Sequence, residues 1–158
     1  MNHFYTLKQA MGLSLTSFHF SDAGHKESRT NAKVSYVWEG KTILVAEDED
    51  FNYLYLKEIL ESTMVTIMRA IDGQRAVELC RMVHFDAILM DIKMPIMNGL
   101  EATKQIRTFN REVPVIAQTA YTLVDDQEKC MKAGCSYYLA KPISSKVLLS
   151  LLDEYLRK

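Results

Sequence analysis

Residues 85–99 read FDAILMDIKMPIMNG, which combines an apolar run, a carboxylate and a sharp turn. Ala87–Met90 is a short apolar run, which predicts a buried strand. Asp91 stands at the end of that run, and the chain then turns sharply between Pro95 and Gly99. A carboxylate at the mouth of a core strand is costly to bury without a partner. The stretch therefore indicates that this strand carries a functional side chain at its end and also contributes apolar residues to a core.

Similar apolar runs recur along the chain and alternate with stretches of helical periodicity. The predicted strands are residues 42–46, 65–70, 86–90, 113–120 and 137–141. The predicted helices are residues 52–62, 73–83, 99–109, 125–134 and 144–156. Strands that are almost wholly apolar and separated by helices are typical of a parallel sheet covered on both faces. The sequence thus predicts an α/β fold with a doubly wound, five-stranded parallel sheet.

Composition limits the classes of function. The 158 residues are 48% hydrophobic and 25% charged, enough for one domain with a core. A net charge of −1 argues against direct nucleic-acid binding, and the lack of a long apolar run argues against membrane insertion. Three cysteines without a C-x-x-C pair favour free thiols in a reducing cytoplasm over disulfides or zinc.

Acidic side chains follow two of the predicted strands. Glu47 and Asp48 come after the first strand, and Asp91 ends the third. In a doubly wound sheet these strands are neighbours and their carboxyl ends form the ligand site, so the three carboxylates should converge. Clustered carboxylates repel one another unless a cation intervenes, and an oxygen-only set suits Mg²⁺ rather than Zn²⁺. We therefore expect Mg²⁺ as the cofactor.

Two further residues stand at the ends of the last two strands. Lys141 offers an ammonium group suited to a phosphoryl oxygen, and Thr119 offers a hydroxyl donor. Ala120 beside Thr119 is small and leaves room for a bulky group. Together with the acidic cluster, these residues predict a site that carries a transient phosphoryl group on Asp91.

Four motifs connect the chain to a known family: ILVAEDED, ILMDIKMPIMNG, VIAQTA and YYLAKP. Occurring in this order on the predicted strand ends, they resemble the receiver domain of two-component response regulators over residues 41–156. The resemblance implies a flavodoxin-like (β/α)5 receiver fold with strand order 2-1-3-4-5. The sequence of these motifs is most similar to the C-terminal receivers of hybrid histidine kinases.

The resemblance assigns roles to individual positions. It implies that Asp91 is the phosphoacceptor and that Glu47 and Asp48, with Asp91 and the backbone carbonyl of Lys93, hold Mg²⁺. Glu47 stands where many relatives have aspartate, so direct and water-mediated metal contact both stay open.

Further roles follow from the same resemblance. Thr119 and Ala120 would be the switch positions, Lys141 the phosphate-binding lysine, and Tyr138 the aromatic residue that turns inward on activation. The Lys141–Pro142 bond is expected to be cis. The bulky Lys93 and Tyr121 would shield the phosphoryl group and lengthen its lifetime.

These roles imply a signalling function rather than turnover of a small molecule. The expected reaction is Mg²⁺-dependent transfer from a phosphohistidine of a histidine kinase or histidine phosphotransfer protein to Asp91, followed by slow autodephosphorylation. A pseudo-receiver used only as an interaction module is the main alternative. An aspartyl-phosphate phosphatase is a weaker one, because it needs a second acid where Lys93 stands. A flavin-type cofactor binder would need a phosphate loop where the acidic residues 47–50 lie.

The first part of the chain has a different character from the rest. Residues 21–33 are polar and lack large apolar side chains, which predicts a linker. We therefore divide the chain into an N-terminal extension, residues 1–40, and a receiver domain, residues 41–158. The extension is expected to be partly disordered or loosely docked. A linker remnant of a hybrid kinase and an arm that forms a homodimer are the alternatives.

Overall fold

The computed structural model describes residues 35–120 and 124–157. Residues 1–34 of the predicted N-terminal extension, and Tyr121, therefore lie outside the described residues. The five strands found are β1 (Thr42–Ala46), β2 (Thr66–Ala70), β3 (Ala87–Asp91), β4 (Val115–Thr119) and β5 (Tyr137–Ala140). The five helices found are α1 (Asp50–Glu61), α2 (Gly73–Met82), α3 (Gly99–Arg107), α4 (Val124–Ala133) and α5 (Ser145–Leu156). None of the helices within the described ranges combines the length and hydropathy needed to cross a membrane.

The strands form one parallel sheet in the order β2-β1-β3-β4-β5, which confirms the predicted fold. β1 and β3 lie side by side with Ala46 opposite Met90, so the residues after β1 lie next to the end of β3. On the other side of β3, Asp91 pairs with Gln118 of β4. The parallel register therefore gathers the strand ends along one edge of the sheet.

Helices cover both faces of the sheet and produce two apolar layers. Residues of α2, α3 and α4 pack on one face, where β3 contributes Ile88 and Met90. Residues of α1 and α5 pack on the other face, where β3 contributes Ala87 and Leu89. All five residues of β3 are buried, which explains why the strand reads as a continuous apolar run up to Asp91.

The turn after β3 brings α3 unusually close to that strand. The amide of Gly99 donates to the carbonyl of Ile92 at 3.0 Å, and Asn98 caps α3 by accepting from the amide of Glu101 at 2.9 Å. A Cβ atom at position 99 would overlap the carbonyl oxygen of Asp91. Only glycine fits at this approach, so the sharp turn in the sequence serves to start α3 directly against the strand that carries Asp91.

Trp38 precedes β1 and packs into the layer formed by α1 and α5. Its side chain is 3% exposed, and its indole Nε1 donates to Asp153 Oδ1 of α5 at 3.0 Å. Its backbone amide donates to the carbonyl of Thr63 at 2.7 Å. Trp38 thus contributes to the core although the predicted boundary placed it in the extension.

Candidate functional site

Three carboxylates converge at the edge where β1 and β3 end. Glu47, Asp48 and Asp91 each offer an oxygen, and these oxygens all lie within 4.8 Å of one another. Glu47 is 0% exposed and Asp91 is 6% exposed, so two of the three acids are withdrawn from bulk water. The cause is the pairing of β1 with β3, which places the residues after β1 beside the last residue of β3.

Lys141, the first residue after β5, bridges two of these acids. Its Nζ atom lies 2.8 Å from Glu47 Oε2 and 2.7 Å from Asp91 Oδ2. Burial by itself would lower the pKa of Lys141, but its hydrogen bonds to Asp91 and Glu47 outweigh that effect and raise the pKa. Lys141 is therefore held as a cation between the two carboxylates.

Glu47 remains incompletely compensated despite this bridge. Burial raises its pKa above the ordinary value, and the hydrogen bonds from Lys141 and Asn52 offset that effect only in part. The nearby charge of Asp91 raises the pKa further. One ammonium group thus faces an excess of negative charge, a situation that a bound divalent cation relieves.

Backbone and side-chain donors fix the second carboxylate oxygen of Asp91 and of Glu47. Asp91 Oδ1 accepts from the amide of Lys93 at 3.1 Å. Glu47 Oε1 accepts from Asn52 Nδ2 at 3.1 Å and from the amide of Glu49 at 3.3 Å. Both side chains are therefore held in one orientation before any ligand arrives.

Asp48 supplies the observation that tests whether this cluster fits a metal. Its Oδ1 atom is shielded from solvent and has no hydrogen-bond partner within the described parts of the chain. A buried carboxylate oxygen without a donor is costly, and a cation beside it removes that cost. Three carboxylates without nitrogen or sulfur ligands match the preference of Mg²⁺. The donor set therefore fits the predicted cofactor.

The other predicted site residues lie around this centre. Thr119 ends β4 and is buried, with its carbonyl accepting from the amide of Lys141 at 2.8 Å, and Ala120 after it is exposed. Tyr138 on β5 is half-buried and packs against the layer of α2, α3 and α4. Lys93 is exposed, and the Lys141–Pro142 bond is cis. Tyr121, the second position expected to tune the phosphoryl lifetime, lies outside the described residues.

Two residues close to the site were not anticipated from the sequence. Arg69 on β2 contacts the acidic loop after β1, and Gln118 lies on β4 opposite Asp91. Each is a long polar side chain in a strand whose other residues are apolar or threonine, in TIMRA and VIAQT. A long polar side chain within a predicted strand is thus the signal that could have found both.

Gln118 is fully buried, and neither Nε2 nor Oε1 has a hydrogen-bond partner among the residues described. It lines a small pocket of about 110 Å³ that also touches Asn52, Tyr55, Lys141 and Pro142. We expect the Gln118→Met variant, which keeps the volume but removes the polar atoms, to raise the free energy of unfolding by about 1 kcal/mol. Urea denaturation of both proteins measures this. A clear loss of stability would mean that the amide gains a partner in solution.

Comparisons with known proteins agree with this geometry. The sequence matches the family described as "Response regulator receiver domain" over residues 43–153. It is 35% identical over 118 residues to the polar-differentiation response regulator DivK of Brucella ovis, which covers 73% of this chain and 96% of that protein.

Solved structures agree as well. The receiver domain of the sensor histidine kinase PA1611 from Pseudomonas aeruginosa, with a magnesium ion coordinated in its active site cleft, is 36% identical with a TM-score of 0.71. The match covers 75% of this chain and 99% of that one. The receiver domain of Ssk1 from Saccharomyces cerevisiae, solved with the histidine phosphotransfer protein Ypd1, is 29% identical with a TM-score of 0.71 and coverages of 75% and 90%. The chain therefore belongs to the response regulator receiver domain family.

Proposed function

We propose that this protein is a phospho-accepting signalling domain, in which Asp91 receives a phosphoryl group from the phosphohistidine of a partner protein. The observation that carries the proposal is the setting of Asp91. Its two oxygens are held by the Lys93 amide and by Lys141, beside two further acids at the open edge of the sheet. A carboxylate fixed in this way is positioned for attack on phosphorus.

The proposed transfer breaks one bond and forms one. A carboxylate oxygen of Asp91 attacks the phosphorus atom in line with the phosphorus–nitrogen bond, and the histidine nitrogen leaves with the electron pair. Lys141, already within 2.7 Å of Asp91 Oδ2, then exchanges its carboxylate contacts for a phosphoryl oxygen. The chain contributes positioning and charge neutralisation, so we do not propose enzymatic turnover of a small molecule.

Magnesium is proposed as the cofactor of this transfer. Glu47, Asp48 and Asp91 would hold it, with the backbone carbonyl of Lys93 as a further ligand. When bound, Mg²⁺ supplies positive charge that offsets the charge of the phosphoryl oxygens. The support is the unpartnered oxygen of Asp48 and the incompletely compensated charge of Glu47.

Binding of Mg²⁺ should be visible as a gain in stability. At a concentration ten times its Kd, Mg²⁺ should raise the free energy of unfolding by about 1.4 kcal/mol, because it binds only the folded state. Thermal or urea unfolding with and without MgCl₂ measures this, with NaCl at equal ionic strength as the control. An equal gain from NaCl would contradict a specific site.

Phosphorylation is proposed to act as a switch. Thr119 would donate to the new oxygens, Ala120 leaves room for them, and Tyr138 would turn further inward from its half-buried position on β5. The surface formed by α4, β5 and α5 would change in consequence and alter which proteins bind there. The bulky side chains of Lys93 and Tyr121 are proposed to prolong the phosphorylated state.

The partner that donates the phosphoryl group is proposed to be a histidine kinase or a histidine phosphotransfer protein. The complex of Ypd1 with the Ssk1 receiver supports this class of partner. Next to the acidic cluster, α1 exposes three large apolar side chains, Phe51 at 87%, Leu54 at 55% and Tyr55 at 46%. Exposed apolar groups on adjacent helical turns suit a protein surface that docks there.

Membership among the receivers of hybrid histidine kinases is supported by the 36% identity to the receiver of the sensor kinase PA1611. A cytoplasmic site of action is supported by Cys80, Cys130 and Cys135, all of which lie in the described part of the chain and form no disulfide there. Labelling with candidate phosphohistidine donors in the presence and absence of Mg²⁺ tests the proposed function as a whole, and no transfer from any histidine-phosphate donor would contradict it.

A further inference from the structure

Arg69 reaches from β2 across to the acidic loop that follows β1. Its Nε atom donates to the carbonyl oxygen of Glu47 at 3.1 Å, and its Nη2 atom donates to the carbonyl oxygen of Asp48 at 2.9 Å. Its Nη1 atom forms an ion pair with Asp50 Oδ1 at 2.7 Å. One guanidinium group therefore binds three of the four consecutive acidic residues 47–50.

The side chain of Arg69 is itself held in place. It is 22% exposed, and its guanidinium carbon lies 4.4 Å from the centre of the Tyr53 ring, which is a cation–π arrangement. Arginine suits this position because its planar group presents several donors in a fixed geometry. A lysine there would keep the charge but would present a single point of donation on a flexible stem.

The acidic loop needs such a restraint. Four consecutive acids repel one another, and two of them must direct their oxygens toward Asp91 rather than toward solvent. The bonds from Arg69 go to the backbone carbonyls of Glu47 and Asp48, so they fix the backbone while leaving those two carboxylates available.

We propose that Arg69 is a positioning residue for the metal site, which holds the backbone of Glu47 and Asp48 so that their carboxylates converge with Asp91 on Mg²⁺. This inference rests on the proposed function, because it concerns the same site. Arg69 does not take part in the transfer itself. It acts through the two residues whose carbonyl groups it binds.

The charge of Arg69 and its hydrogen bonds would have opposite effects on the affinity for Mg²⁺. A positive charge near the cluster repels Mg²⁺, so a purely electrostatic role predicts tighter metal binding once the charge is removed. The positioning role predicts weaker binding whenever the fork of hydrogen bonds is lost, even if the charge is retained. The sign of the change therefore separates the two roles.

The test is Mg²⁺ binding to the full chain, measured by titration calorimetry, for the wild type, Arg69→Lys, Arg69→Met and Asp50→Asn. We expect both Arg69 variants to raise the Kd for Mg²⁺ on the order of ten- to a hundredfold, as loss of groups that orient metal ligands does. Asp50→Asn removes only the exposed ion pair and should leave the Kd nearly unchanged.

At saturating Mg²⁺, labelling by acetyl phosphate should return to the wild-type level in the Arg69 variants. Circular dichroism confirms that each variant is folded. If Arg69→Met does not fold, the Kd of Arg69→Lys provides the test.

The outcomes distinguish this inference from the function on which it rests. Wild-type Kd values in Arg69→Lys, or tighter binding in Arg69→Met, overturn the positioning role while the proposed function stands. Failure of the wild type to bind Mg²⁺ overturns the proposed metal site and this inference together. Labelling that stays low in the Arg69 variants at saturating Mg²⁺ also overturns the positioning role, because Arg69 would then act on the transfer itself.

Discussion

Replacing Asp91 by asparagine should reduce Mg²⁺-dependent labelling by acetyl phosphate to background. Asparagine has nearly the same shape and can still accept from the Lys93 amide, so the fold and the entrance to the site should persist. The amide lacks the negatively charged oxygen that attacks phosphorus, and it also removes one carboxylate from the proposed metal site. The loss should therefore be complete rather than partial.

The matched control for this change is Asp50→Asn. Asp50 belongs to the same acidic stretch, but its side chain is 81% exposed and pairs with Arg69 rather than with Lys141. Labelling of this variant should match the wild type. Full labelling of Asp91→Asn, or equal loss in both variants, would be incompatible with Asp91 as the phosphoacceptor.

Replacing Lys141 by methionine should lower the free energy of unfolding by about 3 kcal/mol in metal-free buffer at neutral pH. Methionine keeps the length of the side chain, but Glu47 and Asp91 lose the ammonium group that lies between them. Both carboxylates are buried, so the loss leaves uncompensated charge away from water. Labelling by acetyl phosphate should also fall sharply, because the phosphoryl oxygens lose their positive partner.

Added Mg²⁺ should restore part of that stability, since a divalent cation replaces the missing positive charge. Urea unfolding with and without MgCl₂ measures both effects. The comparison variant is Lys132→Met, which removes a lysine whose ion pair with Glu128 is exposed and should leave stability unchanged. If Lys141→Met were as stable as the wild type in metal-free buffer, the bridge between Glu47 and Asp91 would contribute nothing to the fold.

Much of the architecture could be predicted because buried parallel strands have a recognisable sequence pattern. A strand buried on both faces must be apolar along its whole length, and β3 illustrates this with five buried residues. Helices between such strands force a parallel order, and parallel order brings the strand ends to one edge. The convergence of Glu47, Asp48 and Asp91 follows from that rule without any knowledge of the side-chain conformations.

What could not be predicted depends on contacts between residues distant in sequence. Arg69 binds the loop after β1 only because β1 and β2 pair with Val45 opposite Arg69, and the sequence does not show which acids that arginine reaches. The burial of Gln118 depends on the packing of α1 and of the segment after β5 over that part of β4. Trp38 joins the core through a hydrogen bond to Asp153, 115 residues further along the chain. Such pairings depend on three-dimensional register rather than on local pattern.

The position of the phosphoryl group on the chain tests whether Asp91 is the phosphoacceptor. The purified protein is incubated with acetyl phosphate with and without Mg²⁺, the acyl phosphate is trapped chemically, and its position is read by peptide mass spectrometry. We expect the modification on Asp91 alone, and only when Mg²⁺ is present. Modification of a different residue, or labelling of Asp91 that is indifferent to Mg²⁺, would contradict the proposed site.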